Sequence, residues 1–318
     1  MKTSKRGSAL LMVMWMSAAM AAIAFSLATS VRGETDHTST TVDDLRTYYI
    51  ATGAIQRAIM DIQQGGVAPD VPGYHLNDPR LVYQFPTGDA TVEIIPETAK
   101  LNINFIAGDK LVLLLGALGL DGDRAQEIAA AIVDWRKPLG ANAAGSFDEY
   151  YASQTPSFHA RHASFEEIEE LLSVKGVTPD IYYGTYVRDT SVDPPQLVAR
   201  GGLKDCLSVY GSTGALDVNG AAPAAMAAAG VPQDVIQAVV ARRPFLKVQD
   251  FSAFLQGNSA AARALRMGGN QMFTLRATAR LRGLDGAPSD LRRTVSATVD
   301  FQVNNDPPIV VLRWYDHG

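Results

Sequence analysis

Residues 1–32 read MKTSKRGSALLMVMWMSAAMAAIAFSLATSVR, and this stretch decides what kind of chain follows. After basic Lys2, Lys5 and Arg6 comes an uncharged run, residues 8–31, which as a helix is long enough to cross the ~30 Å hydrocarbon core of a bilayer. The positive-inside rule then leaves the N-terminus in the cytoplasm and the bulk of the chain outside. A secretory signal has an apolar core of only ~7–15 residues, so a retained membrane helix is the better interpretation.

Gly7 stands between the basic residues and the apolar run. This layout resembles prepilin-type leaders, which are cleaved after the glycine so that the apolar helix stays on the mature chain; a plain membrane anchor is the alternative. Ordinary pilins carry Glu at the fifth mature position, which counted from Ser8 is Met12 here. A carboxylate inside a bilayer costs ~2.5–3.5 kcal/mol on insertion scales and persists only where it has a partner. In pilins that partner is understood to be the neighbouring subunit's N-terminal amine, so Met12 suits a position with no subunit above it; otherwise Met12 simply faces lipid.

The composition is that of a folded protein of up to two domains. The 318 residues are 47% hydrophobic and 19% charged, which excludes wholesale disorder. The net charge of −5 gives no global attraction to nucleic acid or anionic lipid. Cys206 is the single cysteine, which excludes an internal disulfide and a multi-cysteine zinc site. We find no nucleophile elbow, phosphate-binding glycine loop or metalloprotease motif, so no catalytic site is predicted.

Beyond the apolar run, both ends of the chain predict parts of one helix-and-sheet unit. Residues 41–64 space their apolar side chains by three and four, which predicts an amphipathic helix continuous with the membrane helix, with a bend near Arg32 and Gly33. Alternating apolar and polar residues predict strands with one buried and one wet face. The predicted strands are 81–85 and 90–95 with a turn at 87–89, the hairpin strands 273–281 and 295–303, and a last strand at 309–312.

The middle of the chain is helical, rich in alanine, and weakly repetitive. Residues 101–104 are echoed by 216–219, and each copy continues with a small-residue helix, a glycine (Gly119 or Gly230) and a second apolar helix; a third partial copy surrounds Gly176. This pattern resembles the helix-hairpin-helix unit, which often binds DNA through backbone N–H groups. The hairpins carry Asp121, Asp123 and prolines rather than a basic cluster. We therefore favour a packing role and keep DNA binding or DNA uptake as the alternative.

Taken in order, these features resemble the type II secretion minor pseudopilin K family, also called general secretion pathway protein K. The resemblance covers nearly the whole chain, and the ordered set is more specific than any single motif. It rests on the leader before residues 8–31, on Met12, and on the segments 99–104, 131–136, 165–172 and 216–219.

The resemblance implies an α+β chain with a pilin-like fold, a long N-terminal helix plus an antiparallel sheet, and a large inserted all-α domain of helix-hairpin-helix-like repeats. The expected divisions are a prepilin leader at 1–7, a transmembrane and assembly helix at 8–31, a first pilin part at 32–104, the insertion at 105–269 and a second pilin part at 270–318.

The resemblance also implies a maturation route and a role. Prepilin peptidase is expected to cut between Gly7 and Ser8 and Ser8 to be methylated, although pilins often begin with Phe rather than Ser. The family is thought to cap the periplasmic pseudopilus with the I and J minor pseudopilins. The expected protein is non-enzymatic and single-pass in the inner membrane, with its C-terminal bulk in the periplasm. A minor pilin of a type IV pilus is a further alternative.

A metal site is the last expectation. Family members commonly hold calcium in an acidic loop after the helix that ends at 134–135, which points to Asp134, Asp148 and Glu149. The loop is basic at its start here, and calcium usually takes ~6–8 oxygen ligands. His159 and His162 with a carboxylate offer a zinc-type alternative, and a solvated loop is the simpler interpretation.

Overall fold

The computed structural model describes residues 6–67, 79–140, 143–189, 194–268, 271–283, 286–302 and 307–316. It shows the predicted α+β architecture, with a long N-terminal helix, an antiparallel sheet and an inserted domain. Most of the leader, residues 1–5, lies outside the described residues, and so does Val303 in the predicted strand 295–303.

The N-terminal helix, α1, runs unbroken over Arg6–Val67. The helix continues without a break through Arg32 and Gly33, where the sequence predicts a bend, because a single glycine costs a helix only about 1 kcal/mol. On its C-terminal half, α1 buries one face against the sheet, from Thr47 to Ile62. The first half, which contains the apolar run, is exposed and packs on no other element among the residues that the structure describes.

The sheet has the strand order β1-β2-β9-β10-β11, and every neighbouring pair is antiparallel. The predicted strands are confirmed, with small corrections. The first turn lies at 86–87, since Gly88 and Asp89 already pair in β2. The sheet strands are β1 (Arg80–Phe85), β2 (Gly88–Pro96), β9 (Met272–Arg282), β10 (Pro288–Phe301) and β11 (Ile309–Tyr315).

The last part of β10 departs from the predicted one-wet-face pattern. The alternating residues from Val295 to Phe301 are buried against α1, as expected. Ser296 and Thr298, on the opposite face, are buried as well. The reason is that the inserted domain covers this face: Ser296 and Thr298 line a cavity of about 360 Å³ together with Tyr182 of the insertion.

The insertion is not all-α as predicted. Leu101–Asn102 and Leu216–Asp217, which begin the two copies of the repeat, form short parallel pairs with Leu207–Ser208 and Leu265–Arg266. Each partner segment directly follows a helix, and the pairing gives hydrogen-bond partners to backbone groups that the helix no longer satisfies. Its helices are α2 (Gly108–Ala117), α3 (Gly122–Arg136), α4 (Asp148–Ala152), α5 (Pro179–Tyr183), α6 (Leu203–Cys206), α7 (Pro223–Ala228), α8 (Gln233–Arg242), α9 (Val248–Phe254) and α10 (Ser259–Ala264); its strands are β3 (Leu101–Asn102), β4 (Thr185–Asp189), β5 (Gln196–Arg200), β6 (Leu207–Ser208), β7 (Leu216–Asp217) and β8 (Leu265–Arg266).

The repeat has the same geometry in both copies. Asn104 exchanges two hydrogen bonds with the backbone of Phe165, at 3.0 and 2.7 Å, and Asn219 does so with Phe245, at 2.9 and 2.8 Å. The three hairpin glycines predicted from sequence, at 119, 176 and 230, all have φ between 84° and 88°, which only glycine adopts freely. The repeat is thus a packing unit built twice, with a third partial copy.

The insertion leaves the sheet at the end farthest from the apolar half of α1. The hydroxyl of Tyr83 donates to Asp61 at 2.7 Å, and Phe85, further along β1, lies beside Gly53. β1 therefore runs toward the apolar half of α1, and the antiparallel β2 runs away from it to Pro96. The inserted domain begins just after this residue.

Candidate functional site

The apolar run of α1 is the first candidate site. It is the part of the described chain that is long and apolar enough to span a membrane. Met12 is 73% exposed on it, and α1 passes through the backbone of Gly7 and Ser8. The structure therefore places the proposed cleavage point at the start of one continuous helix, and it leaves the cleavage and the methylation themselves as predictions.

A second apolar stripe lies on α1, on the face turned away from the sheet. Val42, Leu45, Tyr49 and Met60 are exposed although they sit on the half of α1 that packs. Their spacings of three, four and eleven residues keep them on one side of a helix with 3.6 residues per turn. Exposed apolar side chains on one side of a helix make this stripe a candidate surface for contact with another protein.

The predicted metal residues are only partly brought together. Carboxylate oxygens of Asp134 and Asp148 and a ring nitrogen of His162 all lie within 4.8 Å of one another. Glu149 and His159 are exposed and lie outside this cluster. The sequence grouped His162 with His159 and a carboxylate. In the structure His162 contacts Asp148 and the backbone of Asp134, which are 14 and 28 residues away in sequence, and His159 does not join them.

Hydrogen bonds within the cluster shift two pKa values. The backbone N–H of Gly145 lowers the pKa of Asp148, and the His162 ring lowers it further. Burial alone lowers the pKa of His162, but the hydrogen bond and charge of Asp148 and the contacts with Asp134 outweigh it, and the net shift is upward. Both shifts favour the charged forms of the His162–Asp148 pair.

The cluster does not have the donor set that calcium prefers. Calcium takes ~6–8 oxygen ligands at 2.3–2.6 Å. Among the described residues the cluster offers two carboxylates and an imidazole, and the carboxylates already accept backbone N–H groups from 145–147. Two carboxylates and an imidazole are closer to the donors of a zinc site.

The helical hairpins show features that disfavour the DNA-binding alternative. The Asp121 side chain caps α3 by accepting from Arg124 N at 3.0 Å, so a carboxylate occupies the helix end where a phosphate would bind. Lys175, beside the second hairpin, is paired with Glu127 at 2.9 Å. The first two hairpins are therefore acidic or neutralised where phosphate recognition needs free donors.

A buried carboxylate that sequence reasoning missed joins the insertion to the sheet. Glu97 is 3% exposed; it accepts from Thr274 of β9 at 2.6 Å and from Ser208 of the insertion, and Lys100 Nζ lies 3.6 Å away. The one feature of the sequence that could have pointed to Glu97 is its position directly after β2, at the start of the insertion.

Fold and sites together define a class: a pilin-like protein whose single long helix ends on an antiparallel sheet, with a second domain inserted between two strands of that sheet.

Comparison with known proteins shows which proteins the chain is similar to. Residues 99–184 match the family described as type II secretion system (T2SS), protein K. The type II secretion system proteins K of Pectobacterium carotovorum subsp. carotovorum and Klebsiella pneumoniae are each 27% identical in alignments of 203 and 202 residues, and each match covers 57% of this chain. The chain spans 61% of the length of each of these relatives.

A solved structure shares the fold. The chain resembles one in the crystal structure of the GspK-GspI-GspJ complex from the type 2 secretion system of enterotoxigenic Escherichia coli, with a TM-score of 0.57 and 15% identity over 89% of this chain and 99% of that chain. The resemblance to the type II secretion K proteins and the pilin-like fold, both predicted from sequence, are confirmed.

Proposed function

We propose that this chain is a non-enzymatic minor pseudopilin at the tip of a type II secretion pseudopilus, where it assembles with the I and J minor pseudopilins and supports protein export across the outer membrane. The observation that carries the proposal is the position of the insertion, at the end of the sheet farthest from the apolar half of α1. Bulk at that end suits the last subunit of a fibre, because a further copy has no room above it. The family relatives and the complex that contains the structural neighbour support the same role.

Maturation follows the prepilin route in this proposal. The chain is inserted in the inner membrane by residues 8–31, with its bulk in the periplasm; prepilin peptidase cuts between Gly7 and Ser8, and Ser8 is methylated. Met12 adds no carboxylate to pair with the amine of a subunit above, which is consistent with the tip position.

Intact mass of the chain extracted from inner membranes tests the maturation. The expected mass lacks residues 1–7 and includes a methyl group. Gly7→Leu is expected to block cleavage and export, while Gly33→Leu is the matched control, because a side chain at Gly33 meets nothing within 4 Å. Retention of Met1 in the wild-type chain, or cleavage near Ser30, contradicts the proposal.

The second apolar stripe of α1 is the surface we assign to the partner helices. Leu45→Asp is expected to abolish co-purification of the full chain with the I and J proteins, since a charge on this stripe would have to be buried without a partner. Leu246→Asp is the control, because Leu246 is similarly apolar and exposed (61%, against 53% for Leu45) but lies in the insertion. Equal binding by the two variants rules out the stripe as the interface.

A further inference from the structure

His162 links two elements of the insertion through both of its ring nitrogens. Nδ1 lies 3.2 Å from the backbone oxygen of Asp134, near the end of α3, and Nε2 lies 2.7 Å from Oδ1 of Asp148, at the start of α4. A carbonyl oxygen and an ionised carboxylate oxygen can only accept hydrogen bonds, so each ring nitrogen donates a proton. The ring is therefore an imidazolium cation in this arrangement.

The backbone at His162 is shaped to hold the ring there. His162 has φ 47°, in the left-handed region that non-glycine residues rarely adopt. A side chain on Gly145 would meet the His162 ring and an Asp134 oxygen at 2.3 and 2.8 Å, so the loop packs directly on the pair. Such a conformation persists only where the surrounding contacts stabilise it.

The same carboxylates order the turn that precedes α4. Asp148 accepts from Gly145 N at 2.7 Å, and Asp134 accepts from Ser146 N at 3.1 Å and from Phe147 N at 3.4 Å. Two carboxylates this close repel each other unless a positive charge stands between them.

We propose that His162 takes the place that calcium is expected to fill: its imidazolium supplies the positive charge between Asp134 and Asp148 and closes the 145–147 turn without a metal ion. Two ligands on one calcium ion stand about 3 Å or more apart, given metal–oxygen distances of 2.3–2.6 Å. The Nε2–Oδ1 contact of 2.7 Å is a direct hydrogen bond with no space for an ion. The inference goes beyond the pseudopilin role and does not depend on it.

Amide hydrogen exchange of the 145–147 turn, measured on the full chain in detergent micelles, tests this proposal. His162→Asn removes the charge, and asparagine tolerates the left-handed backbone. It is expected to speed exchange of these amides about tenfold, the equivalent of one lost charge-assisted hydrogen bond. His159→Asn, an exposed neighbour, is expected to change nothing. Exchange in the wild-type chain is expected to be the same with EDTA, calcium chloride or zinc chloride.

Two results would overturn the proposal. Slower wild-type exchange with calcium or zinc, or faster exchange with EDTA, would show that a metal holds the turn. Equal exchange in His162→Asn and His159→Asn would show that the imidazolium does not. If His162→Asn fails to fold, Asp148→Asn replaces it: the shape is kept, the charge that the ring needs is lost, and the same tenfold effect is expected.

Discussion

The buried carboxylate of Glu97 is expected to couple the insertion to the sheet. Its oxygens accept from Thr274 of β9 and Ser208 of the insertion, and Lys100 lies within ion-pair distance. Glu97→Ala therefore removes the carboxylate that an ammonium group and two hydroxyls share at this junction. The loss should weaken the whole junction and not only one contact.

The size of the effect follows from the burial of each group. Removing one partner of a buried ion pair costs about 3–5 kcal/mol. The Lys100 side chain keeps 16% of its surface exposed, and Thr274 retains Thr298 at 3.1 Å, so we expect the low end, about 3 kcal/mol. Glu97→Gln keeps a carbonyl acceptor and should cost about 1–2 kcal/mol.

Urea unfolding of residues 34–318 can measure both the loss and the coupling. Trp135 reports on the insertion and Trp314 on the sheet, so Trp135→Phe and Trp314→Phe backgrounds follow each part separately. With Glu97 present we expect coincident transitions, and in Glu97→Ala the two should separate.

Glu93→Ala is the matched control for this experiment. Glu93 is the same residue type on β2, but its pair with Arg80, at 3.3 Å, is exposed, so the change should cost less than about 1 kcal/mol. If Glu97→Ala costs no more than Glu93→Ala, or if the two tryptophans still report one transition, the junction argument is refuted.

Three further outcomes follow from the insertion. Asn219→Ala should cost about 1–3 kcal/mol in urea unfolding, because it breaks two hydrogen bonds to the Phe245 backbone. Gly230→Ala should cost about 1–2 kcal/mol, since its φ is 88° and the added carbon meets nothing, whereas Gly176→Ala should cost more, since the added carbon comes within 2.8 Å of a buried side chain. Cys206 should resist maleimide at pH 8 until the chain unfolds, because burial raises the pKa of its thiol to about 12 and leaves almost no thiolate; labelling of the native chain would contradict this.

The sequence predicts those parts of the molecule that local periodicity determines. Alternation along 273–281 gives the strand and its buried face, and three- and four-residue spacing gives the packed half of α1. The echo of 101–104 at 216–219 identifies the repeat, including the asparagine that closes each copy. Its short strands were missed, because two residues carry no periodicity and their partners lie more than 45 residues away.

The candidate site could be predicted only in part, for the same physical reason. Asp134 and Asp148 follow from the family pattern, but the group that lies between them, His162, is brought there by the fold and by its own left-handed backbone. Glu97 is likewise of a residue type that is usually found at the surface, and only the fold brings Thr274, 177 residues away in sequence, beside it. Contacts across such distances leave no trace in a single sequence.

The inserted domain does not disturb the pairing of the sheet strands, because its two ends lie on neighbouring strands. Pro96, the last residue of β2, pairs with Phe273 at the start of β9, so only one strand spacing of ~4.8 Å separates the exit from the return. A domain held between two such points leaves the sheet register intact and adds its mass at one end only. Tyr48 donates to Asp316 at 2.9 Å beside the opposite end, where the sheet meets α1 nearest the apolar run. The sheet therefore separates the long apolar helix from the inserted domain, which adds its bulk at the opposite end, as the proposed terminal position requires.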